Sequence, residues 1–370
     1  MIREIRLVNF KCFANRELPI GPLTLLTGVN GAGKSSVVQA LLVLRQSHDQ
    51  RLLSESRLAL NGEFVQLGRA SDALYDRAEH EEIAIGMTSD ASSSLEVRVR
   101  YENGAEVLRG VTPAPHSEAV LSEALFSDRL RYLSAERVGP RTSFILSEPA
   151  LRQMNVGIRG EYAAQFLATY GDRKMTVPQL LHEGARSNLL RDQVEAWLAH
   201  VSPGVRIEAK AFPDIDVVQL AFRFTRSDDV SGAFRPTNVG FGLTYTLPVL
   251  VALLSAPRGA LAIIENPEAH LHPRGQALLG EMLARAAAGG IQVLCETHSD
   301  HVLNGVRLAV ARGALDASAV AVHFFTRTEA GAHDVLSPRM QKNGRLDSWP
   351  EDFFDQWDKS LEELLRFEES

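Results

Sequence analysis

The sequence is poor in the features that mark several protein classes. It has two cysteines in 370 residues, Cys12 and Cys295, far apart and without partner spacing. That argues against a structural zinc site and for a reducing, cytoplasmic setting. The longest apolar run, "LPVLVALLSAP", stops far short of the ~20 residues a membrane helix needs. The opening "MIREIRLVNF" is charged and alternating, the pattern of a strand and not of a signal peptide. Positive charge is also scarce: the net charge is −7, of which the stretch from Ser348 to Ser370, with eight acids against Lys359 and Arg366, carries −6. A nucleic-acid binder usually shows a basic surplus. None is present globally, which leaves only a local basic face open. There is no repeat, no low-complexity tract and no sustained heptad pattern, so no coiled-coil arm is expected.

What is present is ordinary globular material, 45% hydrophobic and 23% charged, which excludes disorder over most of the length. "IREIRLVNF" and "LTLLTG" read as strands, and "GKSSVVQALLVLRQ" as a helix. "EEIAIGM" and "LEVRVRYENGAEVLRG" alternate, with "ENG" as a hairpin signal, so an antiparallel patch is expected there. The middle reads as mainly helical, clearest in "EYAAQFLATY" and "NLLRDQVEAWLAHV". In the last third strands and helices alternate, the pattern of a parallel sheet with helices on its faces. The expected organisation is a first lobe at 1–110, a helical insertion at 111–204, a second lobe at 205–330 and an acidic segment at 331–370. In that last segment Phe353, Phe354, Trp357, Leu361, Leu364 and Leu365 lie near helical spacing, so one helix face is expected to dock on the body.

"GVNGAGKS", residues 28–35, is a complete G-x-x-x-x-G-K-[ST] loop between an apolar strand and an apolar helix. Gly28, Gly31 and Gly33 let backbone N–H groups turn inward around phosphate oxygens. Asn30 and Ser36 belong to the same set of nucleotide contacts. The helix start adds a positive dipole end. Lys34 places a charge on the β and γ phosphates, and the Ser35 hydroxyl is placed to ligate Mg2+. No guanine-type N-K-x-D motif occurs, so ATP is favoured over GTP. "ALAII" ends in Glu265, read as the acidic partner of magnesium; a plain helix-capping carboxylate is the alternative. His298, in "CETHSD", closes the next apolar strand. Parallel neighbouring strands bring both to one edge of the sheet, where ligands bind. In "TNVGFGLTY", Gly240 and Gly242 precede an apolar helix, either as an anion site or as a simple cap.

Taken in order, "GVNGAGKS", "NVGFG", "AIIENPEAHLHP" and "ETHSDH" resemble the ABC-type ATPase heads of the SMC, RecF and OLD-nuclease kind. More closely, they resemble bacterial AAA-family, ABC-like ATPases with a short C-terminal domain of unknown function, whose closing segment "LDSWPEDFFDQ" is similar. The resemblance implies an α/β fold: a P-loop head with a mostly parallel central sheet, an antiparallel β patch and a helical insertion. It implies a head-to-tail homodimer in which ATP lies between Lys34, Ser35, Glu265 and His298 of one copy and Gly240 and Gly242 of the other. It also implies a separate effector, such as a nuclease, with DNA as a further partner and no membrane. Gln66 in "VQLG" is placed as a magnesium contact, and Arg137 and Glu136 in "YLSAERVGP" as neighbours of the nucleotide. The Toprim nuclease domain of OLD proteins is not expected: about 70 residues follow His298, with no D-x-D cluster among them.

In the wider ABC group a catalytic glutamate follows the magnesium acid. Here that place holds Asn266, which orients a water but takes no proton from it. Loss of a general base costs ~10²–10⁴ in rate. Glu268 and His298 are the candidate substitutes, so a slow ATPase is expected. His270 and His272 sit two apart beside Glu268. Zinc needs three or four ligands, so the family context places them at the subunit contact instead.

Overall fold

A computed structural model of the chain describes residues 1–90, 93–111, 118–226, 229–328, 331–355, 359–361 and 363–365. In chain order the main elements are strands β1 (Ile2–Phe10), β2 (Phe13–Pro19) and β3 (Leu23–Gly28) and helix α1 (Lys34–Asp49). Next come β4 (Glu82–Ser89), β5 (Ser94–Arg100), β6 (Leu130–Leu133), α2 (Ala163–Tyr170) and α3 (Leu190–Leu198). Then follow β7 (Val205–Phe212), β8 (Val217–Arg226), α4 (Phe241–Ser255), β9 (Leu261–Glu265) and α5 (Pro273–Ala288). The series ends with β10 (Gln292–Glu296), α6 (Asp300–Ala311), β11 (Val320–Arg327) and β12 (His333–Leu336).

The central sheet has six strands in the order β12-β11-β3-β10-β9-β6. All its pairings are parallel except that of β12 with β11. Its inner strands are nearly continuous apolar runs because both faces are covered. The two-residue period of a strand sorts those side chains. Ala262, Ile264, Val293 and Cys295 enter the core under α4 and the insertion. Leu261, Ile263 and Leu294 enter the core under α1 and β1. Helices α5 and α6 touch backbone to backbone. A Cβ on Gly305 would lie 2.0 Å from the Ala277 carbonyl oxygen, and one on Gly280 would lie 2.1 Å from that of Val302.

The antiparallel patch is larger than expected: β1 and β2 join β4 and β5 in one sheet ordered β2-β1-β4-β5. The "ENG" reversal leads to Val107–Leu108, which pairs with Leu58–Ala59. Among the described residues, a single bridge, Val99↔Gly110, returns to β5. The middle, expected to be mainly helical, is not: α2 and α3 form as read, but most of the described residues around them are strand, turn or irregular chain. β6 is the edge strand of the central sheet and pairs with β9. At four residues, all buried, it is too short for its alternation to stand out in the sequence. β7 and β8 form a separate antiparallel sheet, in which the short strands Phe144–Ile145 and Asp229–Val230 also pair with β8.

Residues 359–361 and 363–365 near the C-terminus are helical, but their leucines do not dock, and the segment is anchored instead by Phe353 and Phe354. Phe353 is fully buried, with ring centroids 5.0 Å from Phe324 and 4.8 Å from Trp349. Leu361, Leu364 and Leu365 are 43%, 63% and 53% exposed. Asp352 and Phe354 have φ of +61° and +56°, a left-handed backbone that breaks a helix at that point. Trp357 lies outside the described residues.

Candidate functional site

The loop between β3 and α1 is shaped by its glycines. Gly28, Gly31 and Gly33 have φ of +123°, +72° and +109°. A Cβ on Gly28 would lie 2.0 Å from the Phe325 carbonyl oxygen, and one on Gly33 would lie 2.5 Å from Cys12 Sγ, so no other residue fits at either place. The loop lines a cavity of about 640 Å3 together with Glu296 and His298. Asn30, Gly31, Gly33, Lys34, Ser35 and Ser36 all face it. Lys34 Nζ folds back and donates to the Gly28 and Val29 carbonyls at 2.9 and 2.8 Å. Burial lowers its pKa, and the Glu296 charge works against that shift.

Two carboxylates close neighbouring strands in register, Glu265 opposite Glu296. Ser35 Oγ donates to Glu296 Oε1 at 3.0 Å. The other Glu296 oxygen is buried without a partner. Burial pushes the Glu296 pKa up to about 7, the Glu265 charge adds to the rise, and Ser35 and Lys34 oppose it. Glu265 accepts from Tyr132 Oη at 2.7 Å and from the Ala135 amide at 3.4 Å. Its pKa is raised by burial, against the pull of those bonds and of Arg137. The buried Arg137 guanidinium donates to the Asn266 carbonyl at 3.0 Å and to the Glu265 carbonyl, so it fixes the backbone here.

Asn266 has φ +44°, a left-handed conformation that asparagine tolerates better than glutamate does. Its backbone N–H donates to the Glu296 carbonyl at 2.8 Å, while its buried side-chain oxygen has no partner. Glu268 Oε1 accepts from the His298 amide at 2.8 Å, and Glu268 Oε2 is buried and unpartnered. His298 is exposed and its pKa is lowered, by partial burial first and by the Lys34 charge second.

Gly240 caps α4, and with Gly242 it lines a different cavity of about 660 Å3 that shares no lining residue with the loop cavity. A Cβ on Gly242 would come within 2.9 Å of the His270 carbonyl oxygen, so the start of α4 rests on the loop after β9. The His270 ring packs at 4.5 Å from Tyr245 and 5.6 Å from Phe241, and His272 caps α5 by accepting from the Arg274 amide at 3.4 Å. Gln66 is exposed, bridges to Asn61 and does not line the loop cavity. Glu136 is likewise exposed, paired with Arg159.

Sequence reasoning passed over Glu296 and Tyr132. The signal for Glu296 was available, since a carboxylate closing an apolar strand is what singled out Glu265. Tyr132 carried none, because its strand joins the sheet from another part of the chain.

These residues suit a nucleotide with magnesium. Left-handed glycines turn amides inward, a lysine is held by nothing stronger than carbonyls, and three carboxylates meet at one sheet edge, two of them with a buried free oxygen. Loop, sheet order and carboxylate edge define an ABC-type P-loop ATPase head. Within that class the chain belongs to the family described as "AAA domain, putative AbiEii toxin, Type IV TA system", which matches residues 23–304. A protein family of unknown function, DUF3696, matches residues 315–364. The OLD nuclease of Thermus scotoductus is 23% identical over 377 residues, 94% of this chain and 69% of that protein. The DNA replication and repair protein RecF of Salmonella paratyphi A is 28% identical over 109 residues, 29% of each chain. Among solved structures, the SMC head bound to the C-winged helix domain of ScpA has a TM-score of 0.56 at 15% identity, over 92% of this chain and 98% of that one. At that identity the likeness is one of fold. Among the described residues, no helix is long and apolar enough to cross a membrane.

Proposed function

We propose that this chain binds ATP with magnesium, hydrolyses it slowly, and works as a nucleotide-gated dimer. One observation carries the reading: two glycine-rich, anion-ready helix starts of the same chain open on separate cavities. A nucleotide seated on Lys34 meets Gly240 and Gly242 only if a second copy supplies them, which gives two equivalent sites about a two-fold axis. Lys34 binds the polyphosphate charge, and Ser35 and Glu265 hold magnesium, with Glu296 beside Ser35. Magnesium, when bound, supplies charge neutralisation at the phosphates. Glu268 Oε2 takes the proton of the attacking water in place of the missing acid at Asn266, and Asn266 Oδ1 orients that water. His298 lies between the loop and Glu268 and faces the terminal phosphate.

The slow turnover suits a switch that a partner reads. The likeness to an OLD nuclease and to RecF supports a role in bacterial defence or DNA maintenance with a separate effector, an argument by analogy. The test is mass by light scattering. ATP with magnesium should convert monomer to dimer in the wild type and in Glu268→Gln, and not in Lys34→Ala. A wild type that stays monomeric while nucleotide binds removes the proposal. Asn266 favours one rival, a non-hydrolysing assembly module, which predicts no product over hours in a single-turnover assay.

A further inference from the structure

A third cavity, of about 250 Å3, lies on the far side of the sheet edge, between β6, α2 and the end of α4. It shares no lining residue with the loop cavity. Four cations line it, Arg129, Arg131, Arg173 and Lys174, against one carboxylate, Asp128. The cations are not neutralised elsewhere, since none of the four forms an ion pair with a described residue. Arg129 donates to the Ser122 carbonyl and Arg131 to the Asp128 and Leu130 carbonyls. Arg173 lies over the Tyr170 ring at 4.0 Å. The nearby Asp172 is taken by Arg191. Arg131 is 3% exposed and its Nε is buried without a partner.

Part of this charge has a local explanation. Helices α2 and α4 both end at the cavity, through Tyr170 and through Leu254 and Ser255. Each C-terminus carries roughly half a negative charge. With Asp128 that offsets about two of the four positive charges, and about two remain. In a chain of net charge −7, a concentrated positive surplus marks a place that attracts an anion. Guanidinium groups match phosphate with paired donors. The volume is below the ~300–1,000 Å3 of pockets for larger ligands, so the occupant is small.

We propose that this cavity binds a small phosphate-bearing anion, with Arg131, Arg173 and Lys174 as its ligands. Free phosphate, pyrophosphate and the phosphate end of a nucleoside monophosphate share that chemistry. The site does not depend on the ATPase reading, and its test is built to exclude the loop.

In full-length Lys34→Ala protein, thermal-shift and calorimetric titrations with phosphate, pyrophosphate and adenosine monophosphate should show saturable binding. The three titrants separate the sources. The exposed pair Arg173→Glu/Lys174→Glu should weaken the best of them at least tenfold, whereas Arg173→Lys/Lys174→Arg should keep it within about threefold. The proposal is overturned if the glutamate pair leaves binding unchanged while folding normally. It is also overturned if no titrant binds once Lys34 is gone, or if a short DNA duplex binds at this pair and none of the small anions does.

Discussion

Glu296 holds its proton in the folded chain up to about pH 7, against an ordinary value of 4.5. Between those values the folded state carries more protons than the unfolded one, so stability falls as pH rises through that window. The ligand-free protein should therefore lose melting temperature from pH 5 to pH 7.5, and Glu296→Gln should flatten that slope. A slope unchanged by the substitution would assign the effect to another group. Asn266 poses the second residue-scale question. Its left-handed backbone makes Asn266→Glu a strained change, costing about 1 kcal/mol, and the new carboxylate should not raise turnover. Glu268→Gln, by contrast, should lower phosphate release by ~10²-fold. If neither substitution alters turnover, Glu268 is not the proton acceptor. At this scale much of the site was legible: Lys34, Ser35 and Glu265 follow from a loop motif and a strand end. Asn266's conformation was not, because a dihedral angle is set by its neighbours, here Arg137 and the Glu296 carbonyl.

Among the elements, β3, α1, α4, β9, α5, β10, α6 and β11 were all readable, because apolar periodicity or a continuous apolar stretch marks the helices, and unbroken apolar runs alternating with them mark the strands. β6 was not, since four buried residues have no period to detect and its partner β9 lies more than a hundred residues away. The acidic tail misled for a related reason: apolar spacing suggested one helix face throughout, but left-handed residues at Asp352 and Phe354 break it, so Phe353 and Phe354 pack while Leu361, Leu364 and Leu365 stay exposed. The α5–α6 contact has its own prediction. A methyl on Gly305 meets the Ala277 carbonyl with no flexible group to yield, so Gly305→Ala should destabilise by ~1–3 kcal/mol. Thermal or urea unfolding measures it, and a loss under ~0.5 kcal/mol would show that the helices separate easily.

For the whole molecule, the two cores on either face of one sheet make the strand ends a fixed edge, and the site is assembled there from β3, β6, β9 and β10. The contact of Gly242 with the His270 carbonyl then has a consequence for a pair of chains. In the dimer proposed above, the helix tip that each copy would lend to its neighbour lies directly against the loop that carries its own Glu268. In such a pair no lever or hinge would be needed for one half to feel the other, since occupancy would be relayed through this close approach of backbone to backbone. ATP saturation should accordingly be cooperative, with a Hill coefficient above about 1.3, and Gly242→Ala, which prises that touch apart, should bring it back toward one.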